Sequence, residues 1–193
     1  QPGAAALRAR VPCLLVDFEG LREYSARAIA SAASARWPGL RALRLAFPAP
    51  GASGEAYAAH IAQALEGRGA RERLAALIRP HLGDAGAVGL PAVLGIARTE
   101  HAAAHLAEAL GAPTFELPTM PTSVPGLRLK NALERTLAGR GVGRHAHGRV
   151  LAITRARDGF ELSVAAAPSA LTLRARAVVL ATGRFMGGGL VAD

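Results

Sequence analysis

The run of residues that ends in Ala-Thr-Gly near the end of this sequence is the part best suited to chemistry. The apolar run Ala177–Leu180 leads into Ala181-Thr182-Gly183, and a second cluster, Gly187-Gly188-Gly189, follows. Alanine and glycine carry no bulk that would keep a ligand away from the backbone. In open α/β sheets, ligands bind beyond the carboxyl ends of strands. Both clusters are therefore predicted to line a site for a flat or phosphorylated ligand, the alternative being a simple tight turn.

A nearby arginine and a proline-rich loop supply further candidate contacts. A guanidinium binds phosphate through parallel hydrogen bonds, so Arg184 is a candidate for a cofactor or substrate phosphate. Three prolines make residues 118–125 a stiff, extended loop. Its hydroxyls either meet a substrate or cap the helix that follows. The candidate substrate contacts around this loop are Thr119, Thr122, Ser123 and Arg128.

Histidine pairs are the only sign of a metal site, and the signal is weak. His101 and His105 stand four residues apart on a predicted helix, which is half of a metal site, but no third ligand accompanies them. His145 and His147 lack partners in the same way. The sequence also contains no Walker loop, no Gly-x-Ser-x-Gly turn and no nucleophile triad. We therefore predict no metal site and leave the catalytic residue unassigned.

The composition describes a folded, arginine-rich chain. A formal charge of +9 and a pI near 11.4 raise the question of a polyanion partner. The positive residues are scattered, however, and aromatic residues make up only 4%, which is little for a protein that stacks bases. Nucleic-acid binding is therefore the least favoured function. No apolar run approaches the ~20 residues of a membrane span, and the single cysteine, Cys13, excludes an internal disulfide.

The elements that must position these residues alternate between strand and helix over residues 11–117. Short apolar runs predict strands, and amphipathic stretches between glycine and proline breakers predict helices. The predicted strands are Val11–Val16, Leu40–Phe47, a short strand within Gly86–Ile96, and Thr114–Leu117. The predicted helices are Leu21–Arg36, Glu55–Leu65, Ala70–Leu82 and Glu100–Leu110, the last capped by Thr99. Such alternation is typical of an α/β layer structure.

A helix and a β-meander are predicted after the prolines. The helix rests on a leucine stripe that ends at two glycines, namely Leu129, Leu133, Leu137, Gly139 and Gly141. The meander consists of Arg149–Arg155, an Asp158-Gly159 turn, Phe160–Ala165 and Leu171–Leu173. Because Ala177–Leu180 is apolar on both faces, it is predicted as a fully buried strand. We predict two domains, residues 1–125 and residues 126–193.

Two segments resemble a known family. Glu116–Leu133 and Ala177–Asp193 are similar to segments of the B subunit family of the anaerobic glycerol-3-phosphate dehydrogenases, in the same order and at about the same separation. Asp17–Leu21 matches that family more loosely. The resemblance covers most of the chain and is specific from Glu116 onward. Because the sequence starts at Gln1 without an initiator methionine, we expect it to be an internal segment of a longer protein.

This resemblance implies a subunit with FMN or FAD that takes part in oxidising glycerol 3-phosphate to dihydroxyacetone phosphate. Hydride would pass from the substrate to flavin, and electrons would then reach quinone during anaerobic respiration. The implied partners are a second flavoprotein subunit and an iron–sulfur subunit. The implied location is the cytoplasm, at the inner face of the cell membrane and held there through those partners.

The same resemblance gives the expected fold class, a Rossmann-like α/β flavoprotein fragment. Residues 1–125 would form a substrate-type domain, and residues 126–193 part of a flavin-binding domain. The family's opening glycine-rich strand–turn–helix, which holds dinucleotide phosphates, has no counterpart here. We therefore predict that the chain alone retains no flavin. One alternative is an interaction module that docks partner subunits without flavin, and another is a basic nucleic-acid-binding domain.

Overall fold

The computed structural model describes residues 2–48, 55–120, 123–145, 148–165 and 170–181. The chain divides into two compact units, residues 1–136 (the first unit) and residues 137–193 (the second unit). The predicted division into functional domains after residue 125 stays a prediction. Among the described residues, no helix has the length and apolar character needed to cross a membrane.

The first unit is a parallel sheet flanked by helices, which confirms the predicted Rossmann-like α/β class. Its strands are β1 (Cys13–Phe18), β2 (Leu40–Leu45), β3 (Ala87–Pro91) and β4 (Thr114–Leu117), in the order β2-β1-β3-β4. Its helices are α1 (Pro2–Ala9), α2 (Ala26–Ala33), α3 (Ala58–Ala64), α4 (Arg68–Ile78, continued by a 3-10 turn Arg79–His81), α5 (Thr99–Leu110) and α6 (Val124–Gly139), of which the last three residues belong to the second unit.

The two central strands carry the core of this unit. Every residue of β1 and β3 is buried, because each strand has a neighbour on both sides and helices cover the sheet. On the edge strand β2, by contrast, Arg41 and Arg44 are exposed. Gly89 of β3 permits a close approach, since a Cβ there would lie 2.6 Å from Leu15 Cδ2 and 2.8 Å from the Phe115 ring. The packing of the core therefore requires glycine at position 89, in addition to the apolar side chains around it.

One helix begins later than predicted and one predicted helix cap is wrong, and local hydrogen bonds explain both. The helix predicted from Leu21 begins only at Ala26, where Ser25 Oγ accepts a hydrogen bond from the backbone N–H of Ala28 at 3.3 Å. Thr99 was predicted to cap α5, but the capping position is Arg98. The Thr99 hydroxyl instead donates to the carbonyl of Gly95 at 3.4 Å.

The second unit contains the predicted meander. Strands β5 (Arg149–Ala156), β6 (Gly159–Ala165) and β7 (Leu171–Ala175) pair antiparallel in the order β5-β6-β7. The predicted Asp158-Gly159 turn is confirmed between β5 and β6. Gly159 is needed there, because its φ is +143° and a Cβ would lie 2.3 Å from the Ala175 carbonyl oxygen.

The prediction of a buried strand at residues 177–180 is wrong. Ala177–Leu180 is not a strand, and Val179 and Leu180 are 87% and 60% exposed. No described strand pairs with this segment, and an apolar run forms a strand only where a neighbour completes its hydrogen bonds. The helix predicted around the leucine stripe is confirmed as α6, but Leu129 and Leu133 are exposed, so the stripe is not its buried face.

Candidate functional site

The carboxyl edge of the parallel sheet is the natural place for a ligand in the first unit. The four strands run in the same direction, so their carboxyl ends share one edge. Strand β2 lies on one side of β1, whereas β3 and β4 lie on the other. The order therefore reverses between β1 and β3, and ligands of open α/β sheets bind at such a reversal.

The loops that follow the strands meet at this edge. The backbone N–H of Met120, after β4, donates to the carbonyl of Glu23, after β1, at 3.2 Å. The backbone N–H of Ala56, between β2 and α3, donates to the carbonyl of Gly20 at 3.1 Å. These hydrogen bonds bring segments from three strand ends together around the end of the central strand β1.

A buried carboxylate occupies the start of the helix that follows β1. Asp17 is 5% exposed, and its side chain accepts hydrogen bonds from the backbone N–H groups of Phe18 at 2.8 Å and Ala26 at 3.2 Å. Ala26 is the first residue of α2, so the carboxylate lies where the helix dipole favours negative charge. Burial raises the pKa of the Tyr24 hydroxyl well above its ordinary value, and the charge of Asp17 adds to that shift.

A second carboxylate occupies the loop that precedes α5. Glu66 Oε1 accepts hydrogen bonds from the backbone N–H groups of Ile96 and Ala97, both at 2.7 Å, and of Arg98 at 3.3 Å. Consecutive N–H groups of this kind form a concave anion site. Burial acts to raise the pKa of Glu66, but these hydrogen bonds and the Arg98 charge hold it below its ordinary value.

These two carboxylates decide how well this edge fits the phosphates of a flavin dinucleotide. Such phosphates bind at free backbone N–H groups at the start of a helix. After the two central strands, Asp17 already binds the first N–H group of α2, and Glu66 binds the N–H groups of the loop that leads into α5. A pyrophosphate would have to displace like charge at both places. The described residues of this edge therefore do not fit the phosphate part of a flavin dinucleotide.

An ion pair ties α6 to the same edge. Arg128 binds Glu116 through two hydrogen bonds, from Nη1 at 2.6 Å and from Nη2 at 2.9 Å, and its Nε donates to the Gly95 carbonyl at 2.8 Å. Both side chains are about four-fifths buried, with exposed fractions of 18% and 19%. Sequence reasoning missed Glu116 as the partner. All three guanidinium nitrogens make a protein contact, and contact of Arg128 with a substrate stays a prediction.

The other predicted substrate contacts have different surroundings. Thr119 is buried at the carboxyl edge, directly before Met120. The carbonyl of Ser123 accepts a hydrogen bond from the backbone N–H of Leu127 in the first turn of α6. Thr122 lies outside the described residues. The structure thus brings Thr119 to the edge where strand ends meet.

Almost all of the predicted flavin contacts lie outside the described residues. Ala181 is described, and it is exposed and without regular secondary structure. The others are Thr182, Gly183, Arg184, Gly187, Gly188 and Gly189. Their contact with a cofactor or with a phosphate stays a prediction.

The histidine pair on α5 has a structural partner. His105 Nδ1 accepts a hydrogen bond from Nε of the buried Arg71 at 3.3 Å, and the rings of His101 and His105 lie 6.5 Å apart. Among the residues that the structure describes, no group of three or more His, Cys, Asp or Glu is arranged to hold a metal ion.

Sequence reasoning also missed two of the three unpaired side chains at the carboxyl edge. Glu23, Tyr24 and Thr119 each place a side-chain oxygen in a buried position without a protein hydrogen-bond partner among the described residues. The available signal was position, because polar side chains that follow the carboxyl ends of parallel strands face the crevice. Thr119 is among the predicted substrate contacts, and the same positional rule points to Glu23 and Tyr24 in the loop after β1.

The comparisons with known proteins agree in pointing to a flavoprotein family. Residues 13–193 match the FAD binding domain family. A probable anaerobic glycerol-3-phosphate dehydrogenase B subunit from Halobacterium salinarum is 34% identical, over 93% of this chain and 45% of that protein. The anaerobic glycerol-3-phosphate dehydrogenase B subunit from Pectobacterium carotovorum is 31% identical, over 92% of this chain and 43% of that protein.

The matches cover almost the whole of this chain but less than half of each relative. The chain spans about half the length of the curated relatives it matches. No solved structure matches it significantly. The predicted resemblance is confirmed by relatives along almost the whole chain, beyond the two segments that first indicated it. The chain belongs to the FAD binding domain family and is similar to the B subunits of the anaerobic glycerol-3-phosphate dehydrogenases.

Proposed function

We propose that this protein takes part, as a flavin-dependent dehydrogenase subunit, in the oxidation of glycerol 3-phosphate to dihydroxyacetone phosphate. The observation that carries the proposal is the match of residues 13–193 to the FAD binding domain family, together with relatives named for this dehydrogenase. The family description favours FAD over FMN as the cofactor. The oxidation removes one hydrogen with two electrons from C2 and one proton from the C2 hydroxyl.

Flavin supplies the two-electron acceptor for this chemistry when it is bound. Within this chain, the proposed cofactor contacts are Ala181, Thr182, Gly183 and Gly187–Gly189, with Arg184 near a phosphate. Two carboxylates already occupy the start of α2 and the loop before α5 at the carboxyl edge of the first unit, which supports assigning the flavin phosphates to another part of the protein. Thr119, Thr122, Ser123 and Arg128 are the proposed substrate contacts.

The relatives' designation as a subunit supports a role in a complex. We propose that the partners are a second flavoprotein subunit and an iron–sulfur subunit, and that electrons pass on to quinone. The protein would then work at the cytoplasmic face of the cell membrane, held there through those partners.

The function is tested by assembling the protein with FAD and its partner subunits in the absence of oxygen. Glycerol 3-phosphate should bleach the flavin absorption, and a soluble quinone should restore it. Glycerol without phosphate is the matched control and should leave the spectrum unchanged. Failure of glycerol 3-phosphate to reduce the flavin in the assembled complex would contradict the proposal.

The cofactor contact has its own test, Gly183→Val in the assembled protein. A side chain at a flavin contact should lower flavin content and leave the melting temperature of the flavin-free protein unchanged. The matched control is Gly143→Val, because a Cβ at Gly143 meets nothing within 4 Å. A parallel fall in flavin content and melting temperature would indicate a structural turn instead.

A docking module without flavin is the second candidate, and exposed apolar side chains favour it. Leu129 and Leu133 of α6 are 62% and 52% exposed, and Leu151 of β5 is 61% exposed. Apolar side chains of this kind are common at subunit interfaces. This candidate predicts that the assembled complex keeps its full flavin content when Gly183 is replaced by valine.

A further inference from the structure

Three polar atoms at the carboxyl edge of the first unit lack a protein partner among the described residues. They are Oε2 of Glu23, the hydroxyl of Tyr24 and Oγ1 of Thr119, all buried. Tyr24 and Thr119 are only 7% and 9% exposed as whole residues. Buried polar atoms in folded proteins almost always have a hydrogen-bond partner, so an unpaired group indicates a further partner beyond the contacts of the described residues.

The three atoms belong to two segments that touch. Glu23 and Tyr24 follow β1, and Thr119 follows β4, and the hydrogen bond from Met120 N–H to the Glu23 carbonyl joins the segments. This junction lies at the edge where the strand order reverses between β1 and β3. The unpaired atoms are therefore concentrated where an α/β sheet binds its ligand.

We infer that the loops after β1 and β4 form a binding site for the hydroxyl groups of a small polyol, held by Glu23, Tyr24 and Thr119. A carboxylate oxygen only accepts hydrogen bonds, whereas the two side-chain hydroxyls both donate and accept. Adjacent ligand hydroxyls complete such a set, because one donates to Glu23 while another accepts from Tyr24 or Thr119.

Charge and hydrogen-bonding capacity together make a neutral polyol a better ligand for this site than a phosphate or an ammonium group. Glu23 carries a carboxylate in the site, and the Asp17 carboxylate lies close enough to influence Tyr24. This negative field opposes a phosphate group. An ammonium group would pair with Glu23 but has no acceptor for the hydroxyl protons of Tyr24 and Thr119.

The identity of the polyol rests on the proposed function, whereas the site rests on the three unpaired atoms. Glycerol 3-phosphate carries two neighbouring hydroxyls on its glycerol part. We assign those hydroxyls to this site and its phosphate to groups outside it. The site thus positions the alcohol end of the substrate. We assign no proton transfer to its three residues.

The experiment is a titration of the full chain followed by amide proton–nitrogen NMR spectra. The probes are glycerol, glycerol 3-phosphate, ethylammonium chloride and inorganic phosphate, each added separately. Glycerol and glycerol 3-phosphate should shift the amide signals of Glu23, Tyr24 and Met120. Ethylammonium, which has no hydroxyl, and phosphate should leave these signals in place.

Two variants remove one hydroxyl each, and two matched variants remove a hydroxyl elsewhere. Thr119→Val and Tyr24→Phe should each weaken glycerol binding about tenfold, which is about 1.4 kcal/mol. Thr99→Val and Tyr57→Phe are the controls, because their hydroxyls already bind Gly95 and Glu55 and lie outside the site. Glu23→Gln, which keeps the side-chain shape, should also weaken binding and serves if a core variant does not fold.

Several outcomes would overturn the inference. They are the absence of shifts with both polyols, shifts confined to other parts of the chain, equal weakening by the control variants, and an equal response to ethylammonium or phosphate. Failure of the proposed function is distinguishable, because glycerol binding to these loops needs neither flavin nor partner subunits. Polyol binding without flavin reduction in the assembled complex would retain the site and remove the dehydrogenase proposal.

Discussion

Two largely apolar runs of this molecule differ completely in burial. Cys13–Phe18 is the fully buried central strand β1, whereas Ala177–Leu180 forms no strand and exposes Val179 and Leu180. The difference lies in the neighbours. Strand β1 pairs with both β2 and β3, but no described strand pairs with Ala177–Leu180. Apolar composition therefore predicts that a segment can be buried, and pairing decides whether it is.

The same contrast separates the sheets of the two units. Strands β1 and β3 of the first unit are buried at every residue, and β5 of the second unit is exposed at every residue. Helices cover the parallel sheet, as the βαβ connections require. We expect the first unit to be sensitive to substitution and the second unit to tolerate it.

The largest expected effect is the loss of a leucine side chain from the centre of the first sheet. Leu15 is 0% exposed, so Leu15→Ala should lower the free energy of unfolding by about 2–5 kcal/mol. The matched change Leu151→Ala, at a leucine that is 61% exposed in β5, should alter it by less than about 0.5 kcal/mol. Urea denaturation followed by circular dichroism measures both, and equal losses would remove the contrast between the units.

A smaller effect is expected from adding a methyl group to the same sheet. Gly89→Ala places a Cβ against Leu15 and Phe115, and overpacking of this kind costs about 1–3 kcal/mol. Gly143→Ala adds the same group in the second unit, where nothing lies within 4 Å. The melting temperature should fall for the first variant only. A stable Gly89→Ala protein would mean that the side chains of Leu15 and Phe115 can shift aside at little cost.

The carboxylate in the anion site before α5 should make the first unit sensitive to acid. The pKa of Glu66 is lowered in the folded protein, so its charged form stabilises the fold above the ordinary value of 4.5, and that stabilisation is lost as the pH falls below it. Glu66→Gln should therefore cost about 1–2 kcal/mol at neutral pH and nothing at low pH.

The matched variant lies in the second unit. Glu161→Gln breaks an exposed ion pair with Arg174, whose closest atoms are 3.4 Å apart, and exposed pairs contribute little. Denaturation curves at a series of pH values should show a pH-dependent difference from the parent protein for Glu66→Gln alone. The same pH dependence in both variants would place the acid sensitivity outside the anion site.

The smallest effect concerns two buried threonines of the first unit. Thr119→Val removes a hydroxyl without a protein partner among the described residues and should change the free energy of unfolding by less than about 0.5 kcal/mol, or raise it. Thr114→Val removes a hydroxyl that donates to the Ala103 carbonyl at 3.2 Å and should cost about 1 kcal/mol. Thermal unfolding of the ligand-free chain measures both, and a larger loss at Thr119 would indicate a protein partner for its hydroxyl.

The sequence was sufficient for features that depend on neighbouring residues. Strand β4 begins and ends at the predicted residues, Thr114 and Leu117, and the Asp-Gly turn joins β5 to β6 as predicted. Both follow from short-range patterns of apolar residues and turn formers. The family resemblance was also visible, because it rested on two contiguous segments of sequence.

Features that depend on residues far apart in the sequence could not be predicted from the sequence. Glu66 binds N–H groups 30 to 32 residues away, and Glu116 pairs with Arg128 on another element. The unpaired atoms after β1 and β4 are brought together only by the folded sheet. The spacing of residues along the chain does not predict contacts between residues that are far apart in sequence. Most of the candidate site could therefore be identified only in the structure.

The open edge of β5 has a consequence for how the protein behaves at high concentration. Strand β5 pairs only with β6 among the described residues, which leaves a row of backbone groups able to template a strand from another molecule. Its apolar residues Val150, Leu151 and Ile153 favour that self-association. Arg149 and Arg155, exposed on either side of them, bring like charges together when two copies align. We expect these arginines to disfavour edge-to-edge pairing of two copies, so that replacing them with alanine would increase aggregation at high concentration.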